Sequence, residues 1–318
     1  MPREARGTRD GLCGARPPCA LCDCFPPLAP PPPIGRRIRV MSRLLVGGIV
    51  LALATSTTLW AQWPAFPSRD VPRTADGKPN LLGPTPRTRD GKPDLSGIWE
   101  NPGWRNLGNG VSGTGGSPGT PAVLPRGPGL FFDIGSGVPG GLPFQPPAAA
   151  LKKQRMADNM KDNPDAHCLP MGNMQLHNHP QPRKIVQTPD VIVILYEGNG
   201  GIRQLFTDGR PLPSNDPQPW WFGYSTGQWD GDTLVMRSSG FRDGGWLDVN
   251  GSPLTDAATV TERFTRENYG NLRIDITVDD PKAYTRPWSV TVNQQIMLDT
   301  ELIEFICLEN EQSTKHFR

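Results

Sequence analysis

The chain has 318 residues and a formal net charge of +2 at neutral pH, and Gly and Pro together contribute 73 of its residues. That share of Gly and Pro means that part of the length does not form packed core. The first 61 residues hold eight Arg and three acidic residues, so the remainder carries a net charge of about −3. This balance excludes a basic surface of the kind that binds nucleic acid.

The N-terminal 61 residues have the features of a leader and a secretory signal. A basic start at 41–43, an uncharged apolar run at 44–54 and a small residue at Ala61 predict a signal peptide spanning 41–61. The alternative is an uncleaved N-terminal anchor. Residues 1–40 include a Cys-x-x-Cys without a second ligand pair, and we interpret them as a disordered, mis-annotated leader that precedes the true start at Met41. We therefore expect a periplasmic or secreted protein with no stable membrane insertion after cleavage.

Between the signal and the first strand lies a Pro-rich segment with an internal repeat. Residues 72–79, Pro-Arg-Thr-Ala-Asp-Gly-Lys-Pro, recur at 86–93 as Pro-Arg-Thr-Arg-Asp-Gly-Lys-Pro. Asp-Gly followed by Lys-Pro is typical of a turn that enters an extended segment. The sequence predicts an extended arm over 62–94, a long Gly/Pro loop over 101–146, a helix over 147–163 and a tail at 311–318.

The remaining chain predicts an all-β domain over 95–310. Ten segments show short, strand-like apolar patterns with turn residues between most of them. They are 97–100, 183–188, 191–196, 202–207, 221–229, 233–239, 259–266, 272–278, 288–293 and 302–308. Short connections favour antiparallel neighbours, and so many strands usually close to remove their edges. We expect an antiparallel meander barrel of about ten strands with one short helix.

Strand alternation places two carboxylates among apolar side chains. Glu262 lies between Val260 and Phe264 on one face, and Glu304 shares a face with Leu302 and other aliphatic residues of the predicted last strand. A carboxylate on such a face must be paired or protonated. Two inward carboxylates near one another are a candidate acid/base pair. The structural alternative is an ion pair of one carboxylate with an arginine.

The predicted arginine partners for such an ion pair are Arg237, Arg263 and Arg286.

The first strand, Gly97-Ile98-Trp99, resembles the Gly-x-Trp signature of lipocalin-like (calycin) barrels. Four longer strings, at 90–99, 229–235, 261–264 and 279–288, are similar to an uncharacterised family of exported bacterial proteins of the Acidobacteria type. The resemblance covers roughly residues 86–310 and implies export and a β-rich fold, but no activity. Family members often carry His where this chain has Tyr224, Leu254 and Asn271, so a metal site built from those histidines would be lost here.

Cysteine and histidine positions define two further candidates. Cys168 and Cys307 are the only cysteines after the signal, and in an exported chain they predict a disulfide, with two separate thiols as the alternative. His167, His177 and His179 form a weak candidate for a zinc or copper site. We favour surface or hydrogen-bonding histidines, and we predict no metal and no cofactor.

Aromatic residues complete the predicted site. Large stiff rings with a few polar groups fit the binding of a small apolar or aromatic molecule. The predicted ligand-binding residues are Glu262, Glu304, Trp220, Trp221, Tyr224, Trp246 and Arg286. The leading hypothesis is an exported small-molecule-binding barrel. The alternatives are a carboxylate-dependent hydrolase or isomerase, and a structural cell-envelope interaction protein that uses the arm. The sequence leaves enzymatic activity and oligomeric state open.

Overall fold

Nine strands form a closed barrel in the computed structural model, which describes residues 66–104, 129–213 and 219–309. The order around the barrel is β1-β11-β10-β9-β6-β5-β4-β3-β2, and β7 pairs with β8 outside it. The strands are β1 (Gly97–Glu100), β2 (Arg183–Gln187), β3 (Val191–Tyr196), β4 (Ile202–Phe206), β5 (Tyr224–Asp230), β6 (Thr233–Ser239), β7 (Gly245–Trp246), β8 (Pro253–Leu254), β9 (Thr259–Arg266), β10 (Asn271–Asp279) and β11 (Trp288–Met297). The predicted all-β barrel is confirmed. The leader, the signal, most of the long loop and the tail lie outside the described residues.

One strand pair departs from the predicted antiparallel meander. Strands β4 and β5 are parallel, with Leu205 opposite Ser225 and Phe206 opposite Thr226. The connection over 207–223 is long enough for the chain to return to the end at which it started, as a parallel pair requires. The barrel is therefore mixed, and the expectation of antiparallel pairing throughout was wrong at this place.

The last predicted strand, 302–308, is also wrong. Strand β11 runs four residues further than predicted, to Met297, and pairs with β1 through Ile98 and Met297. This pairing closes the barrel and leaves no free edge for another strand. Residues 301–309 instead form an irregular segment fixed by the disulfide between Cys168 and Cys307, whose Cα atoms are 5.5 Å apart. The predicted disulfide is confirmed.

Three α-helices lie in the described residues: α1 (Gly129–Phe132), α2 (Pro146–Ala157) and α3 (Asn173–Asn178). Helix α2 corresponds to the predicted helix at 147–163 but ends earlier. Proline at its first turn costs no hydrogen bond, because those N–H groups have no partner inside the helix. All six residues of α3 are buried. No helix among the described residues is long and apolar enough to cross a membrane.

The barrel core follows the period-two pattern of the strands. On β9, Val260, Glu262 and Phe264 are buried, and on β10 the alternate aliphatic residues from Leu272 to Val278 are buried. Trp99 of β1 is fully buried, and its Nε1 donates to Leu95 O at 3.0 Å. The Arg266 guanidinium lies 5.0 Å from the Trp99 ring centroid, which places a cation over the indole.

Candidate functional site

A belt of polar side chains crosses the barrel interior on four neighbouring strands. Arg203 of β4 donates to both carboxylate oxygens of Glu262 on β9, with Nη1–Oε1 at 3.1 Å and Nη2–Oε2 at 2.6 Å. The hydroxyls of Ser225 on β5 and Ser238 on β6 are 2.7 Å apart and lie 3.4 and 3.5 Å from Arg203 Nη2. All four side chains are buried because each stands at an inward position of its strand.

Helix α3 adds a histidine to this belt. His177 Nε2 lies 2.7 Å from Glu262 Oε1, and the imidazole is 1 % exposed. The rings of Tyr196 and Phe264 flank it edge-on, with centroids 6.0 and 6.1 Å away. The Glu262 carboxylate therefore contacts the Arg203 guanidinium and the His177 imidazole at the same time.

Two strand residues fix the end of α3 inside the barrel. Arg183 Nη1 and Gln294 Nε2 both donate to the carbonyl oxygen of His177, at 2.6 and 2.8 Å. Arg183 Nη2 also donates to His179 O at 3.3 Å. Carbonyls in the last turn of a helix have no partner within it, so these bonds satisfy groups that burial would otherwise leave unpaired.

Burial and charge set the protonation states of the belt. Burial alone raises the pKa of Glu262, but the charge of Arg203 and the bond to His177 outweigh it and hold that pKa well below its usual range. Burial lowers the pKa of His177 despite the neighbouring carboxylate. Because the ionised Glu262 only accepts hydrogen bonds, neutral His177 carries its proton on Nε2. Its Nδ1 is then an acceptor.

Several buried polar atoms around α3 have no hydrogen-bond partner among the described residues. A buried donor or acceptor without a partner costs about 1–3 kcal/mol, so these atoms need partners that water or a bound molecule can supply. The group includes an acceptor on His177 and the phenol of Tyr196, which lies beside the Arg203 guanidinium. Burial raises the pKa of Tyr196, so the phenol keeps a proton that it can donate. The atoms are Asn173 Nδ2, Gln175 Nε2 and Oε1, His177 Nδ1, Tyr196 Oη, Arg203 Nε and Gln294 Oε1.

The two predicted carboxylates do not meet. Glu262 is fully buried in the barrel, whereas Glu304 is exposed in the irregular segment after β11. The prediction of an inward carboxylate pair was therefore wrong, because 302–308 does not form a strand. Arg286 is exposed and is not the partner of Glu262.

The predicted aromatic residues lie away from the interior belt. Trp220 is 46 % exposed and meets Tyr224 edge-on at 6.1 Å. Tyr224 stacks on Phe206, and the Arg242 guanidinium lies 5.0 Å from the Trp221 ring. These contacts describe a patch on the outer side of β5, where alternation puts Tyr224 opposite to the inward Ser225.

Trp246 belongs to a separate surface pocket of about 320 Å³. The Arg155 guanidinium lies 4.4 Å from its ring centroid and donates to the carbonyls of Gly244 and Gly251 at 3.1 and 3.0 Å. Burial lowers the pKa of Arg155 to about 10. Trp246 itself is 3 % exposed, so its ring supports Arg155 more than it faces the pocket.

The three candidate metal-binding histidines point to different partners. His177 contacts Glu262, His179 Nδ1 accepts from Gln181 N at 3.3 Å, and the exposed His167 lies 2.6 Å from Lys161 O. No group of three metal-ligating side chains occurs in the described ranges.

Sequence patterns missed Arg203 and the role of His177. Arg203 shares its inward phase with Leu205, but its neighbour Ile202 is apolar and 59 % exposed, which hides the alternation. The proposed partners Arg237, Arg263 and Arg286 were wrong, because Arg203 occupies that place. His177 lies between Leu176 and Asn178 in a helix that is too short to show a period.

Comparisons of the chain with protein-family models, with curated proteins and with solved structures found no match. The functional argument therefore rests on the chain's own residues. What they offer chemically is a closed, mostly apolar interior with one ionised carboxylate, a bound arginine, a neutral imidazole and a phenol.

Proposed function

We propose that this chain is an exported small-molecule-binding β-barrel protein whose ligand places a polar group beside helix α3. The observation that carries the proposal is the cluster of unpartnered buried polar atoms on α3 and the strands that face it. Apolar strand residues surround this cluster, and a few placed polar groups among apolar side chains are the usual lining of a small-molecule site.

The polar atoms define the ligand's chemistry. His177 Nδ1 requires a donor, and Tyr196 Oη and Arg203 Nε supply donors to an acceptor. A neutral hydroxyl or phenol serves both roles, while the surrounding aliphatic and aromatic side chains favour an apolar or aromatic body. A second negative charge is disfavoured, because Glu262 already neutralises Arg203.

Export to the periplasm or the outside is the proposed location. A disulfide such as Cys168–Cys307 persists in oxidising compartments and is rare in reducing ones. The Gly97-Ile98-Trp99 strand at the start of a closed barrel supports the resemblance to calycin barrels. It is also consistent with the exported bacterial family that the sequence resembles.

Calorimetric titration of the mature chain with a panel of phenols and aryl alcohols tests the proposal. We expect at least one compound to bind, and Tyr196→Phe to weaken its binding roughly threefold to tenfold, because one hydrogen bond is lost. Asp232→Asn, a change on the barrel surface, is the control and leaves binding unchanged. If no compound binds, or if Tyr196→Phe has no effect on any compound that does, the barrel site is refuted.

A hydrolase or isomerase is the second candidate, and one contact favours it. The Glu262–His177 bond has the arrangement of a base held in position by a carboxylate, with Nδ1 as the atom that would take a proton. Both Glu262 oxygens are engaged, so His177 and not the carboxylate is the proposed base. Turnover of a bound compound that is lost in His177→Gln with binding retained would select this candidate over simple binding.

A further inference from the structure

The duplicated sequence of the arm folds twice into the same turn, the first turn at 72–79 and the second turn at 86–93. In the first, Thr74 N donates to Lys78 O at 2.9 Å and Gly77 N to Thr74 O at 2.9 Å. The second repeats both bonds, between the residues fourteen positions later, at 2.9 and 3.0 Å. A glycine at φ +80° and +78° makes each turn possible, since other residues rarely adopt that backbone conformation.

The second turn binds an acidic hairpin of its own barrel. Arg87 donates to both carboxylate oxygens of Asp232, in the β5–β6 turn, at 2.8 and 2.6 Å. Lys92 Nζ lies 5.9 Å from the ring centroid of Trp229 at the same hairpin. Arg87 Nη1 also donates to Gly91 O at 2.8 Å, so the turn itself holds the guanidinium in position.

The first turn has the equivalent arginine and lysine, Arg73 and Lys78, but these do not contact the Asp232 hairpin. Arg73 Nη1 donates to Gly77 O at 2.7 Å, the equivalent of the Arg87 bond. Within the described ranges Arg73 has no carboxylate partner, and the turn is exposed from Arg73 to Pro79, whereas Pro93 of the second turn is buried. Among the residues that the structure describes, Lys78 pairs only with Asp76, at 2.9 Å.

The first turn is also fixed to the barrel on both sides. Ser68 and Asp299 exchange two hydrogen bonds of 2.8 Å before it. After it, Gly270 N donates to Leu81 O at 2.8 Å. A binding element that is already ordered loses little conformational entropy when its partner arrives.

We propose that the first turn is a docking site for a partner protein that presents an acidic β-turn beside an indole. The second turn, which has the same local structure, binds such a group: Arg87 contacts Asp232 and Lys92 lies beside Trp229. An exposed Arg–carboxylate pair contributes little by itself, so the contact is one point of a weak, transient association. The inference does not depend on a ligand in the barrel.

A hairpin peptide with the sequence of residues 228–235, titrated into the isotope-labelled intact chain, tests this proposal. We expect amide shifts at Arg73, Gly77 and Lys78, and about two- to fivefold weaker binding in Arg73→Ala. Arg89→Ala removes an exposed arginine from the second turn, at the position of Ala75, and leaves peptide binding unchanged. A peptide with Asn in place of its second Asp should lose the same contact and bind about two- to fivefold more weakly.

Absence of shifts in the first turn, or shifts that Arg73→Ala does not reduce, would overturn the proposal. Self-association of the wild-type chain that requires Arg73, with no peptide binding, would overturn the choice of a separate protein as the occupant. The barrel proposal is tested by different residues and a different probe, so the failure of one leaves the other in place.

Discussion

The chain uses one chemical pair, a bidentate arginine–carboxylate contact, in two opposite environments. Arg203 and Glu262 lie inside the barrel with side chains that are 1 % and 0 % exposed, whereas Arg87 and Asp232 join the arm to a hairpin with exposures of 48 % and 62 %. Both pairs have a shortest distance of 2.6 Å. Geometry is therefore matched, and burial alone separates a contact that the fold depends on from one that solvent screens.

Removal of the buried arginine should have the largest effect. In Arg203→Met the carboxylate of Glu262 loses its charged partner, and we expect a loss of about 3–5 kcal/mol of unfolding free energy in urea. The exposed counterpart, Arg87→Met, should leave the midpoint almost unchanged. If Arg203→Met does not fold, the double variant with Glu262→Leu tests the same idea, since it removes the stranded charge and should recover a folded barrel. Equal effects of the two single variants would show that burial does not separate the stability contributions of the two pairs.

Acidification should lower the free energy of unfolding through the buried His179. Burial lowers the pKa of His179 to about 4 from 6.5, so the unfolded chain binds more protons between these values. Stability is then complete above about pH 6.5 and falls by about 3 kcal/mol as the pH approaches 4. Below about 4.5 the depressed pKa of Glu262 adds a further loss. Urea midpoints measured across this range should show less pH dependence in His179→Asn, whose Oδ1 replaces the acceptor at Nδ1.

A urea midpoint that stays constant from pH 7 to 4 would contradict this expectation. An equal loss of stability in wild type and His179→Asn would contradict it as well.

Neutralising the buried carboxylate without changing its shape should have an intermediate effect. In Glu262→Gln an NH2 group replaces one carboxylate oxygen and faces N–H groups of Arg203 or His177, so a hydrogen bond is lost. We expect the free energy of unfolding to fall by about 1–3 kcal/mol and the melting temperature to drop by several degrees. Asp232→Asn is the matched exposed change and should leave the melting temperature within error. A rise in the melting temperature of Glu262→Gln would mean that the site is not built around this charge.

Salt should produce the smallest effect, and only at the surface. At about 1 M salt the screening length falls to about 3 Å, which weakens interactions between exposed charges. A double-mutant cycle on Arg87 and Asp232 should give a small coupling at low salt that disappears at high salt. The same cycle on Arg203 and Glu262 should keep its coupling, because water and ions do not enter between them. Strong salt dependence of the interior cycle would show that the interior is wet and accessible.

The sequence predicted those features that depend on local periodicity. Alternation on β9 placed Glu262 inside because Val260 and Phe264 fix its phase, and the two remaining cysteines predicted the disulfide. It missed features set by contacts between distant segments. Closure by β11 depends on how far that strand extends, so the apolar 302–308 segment was assigned as a strand although no edge was left for it.

The polar site illustrates the same limit. Nothing local to Arg203 distinguishes it from other strand arginines, and its pairing with Glu262 follows only from the order of strands around the barrel. The six residues of α3 are too few for a helical period, so the helix that carries His177 was not predicted. The carboxylate could be predicted from the chain, but its partners could not.

The central claim is that the atoms around α3 receive a ligand, and a crystal structure of the chain with the best-binding phenol or aryl alcohol tests it most directly. We expect electron density for the compound inside the barrel, with its hydroxyl within hydrogen-bond distance of His177 Nδ1 and of Tyr196 Oη. Density for the same compound only at the Trp246 pocket or on the outer side of β5, with these two atoms bonded to other protein groups, would contradict it.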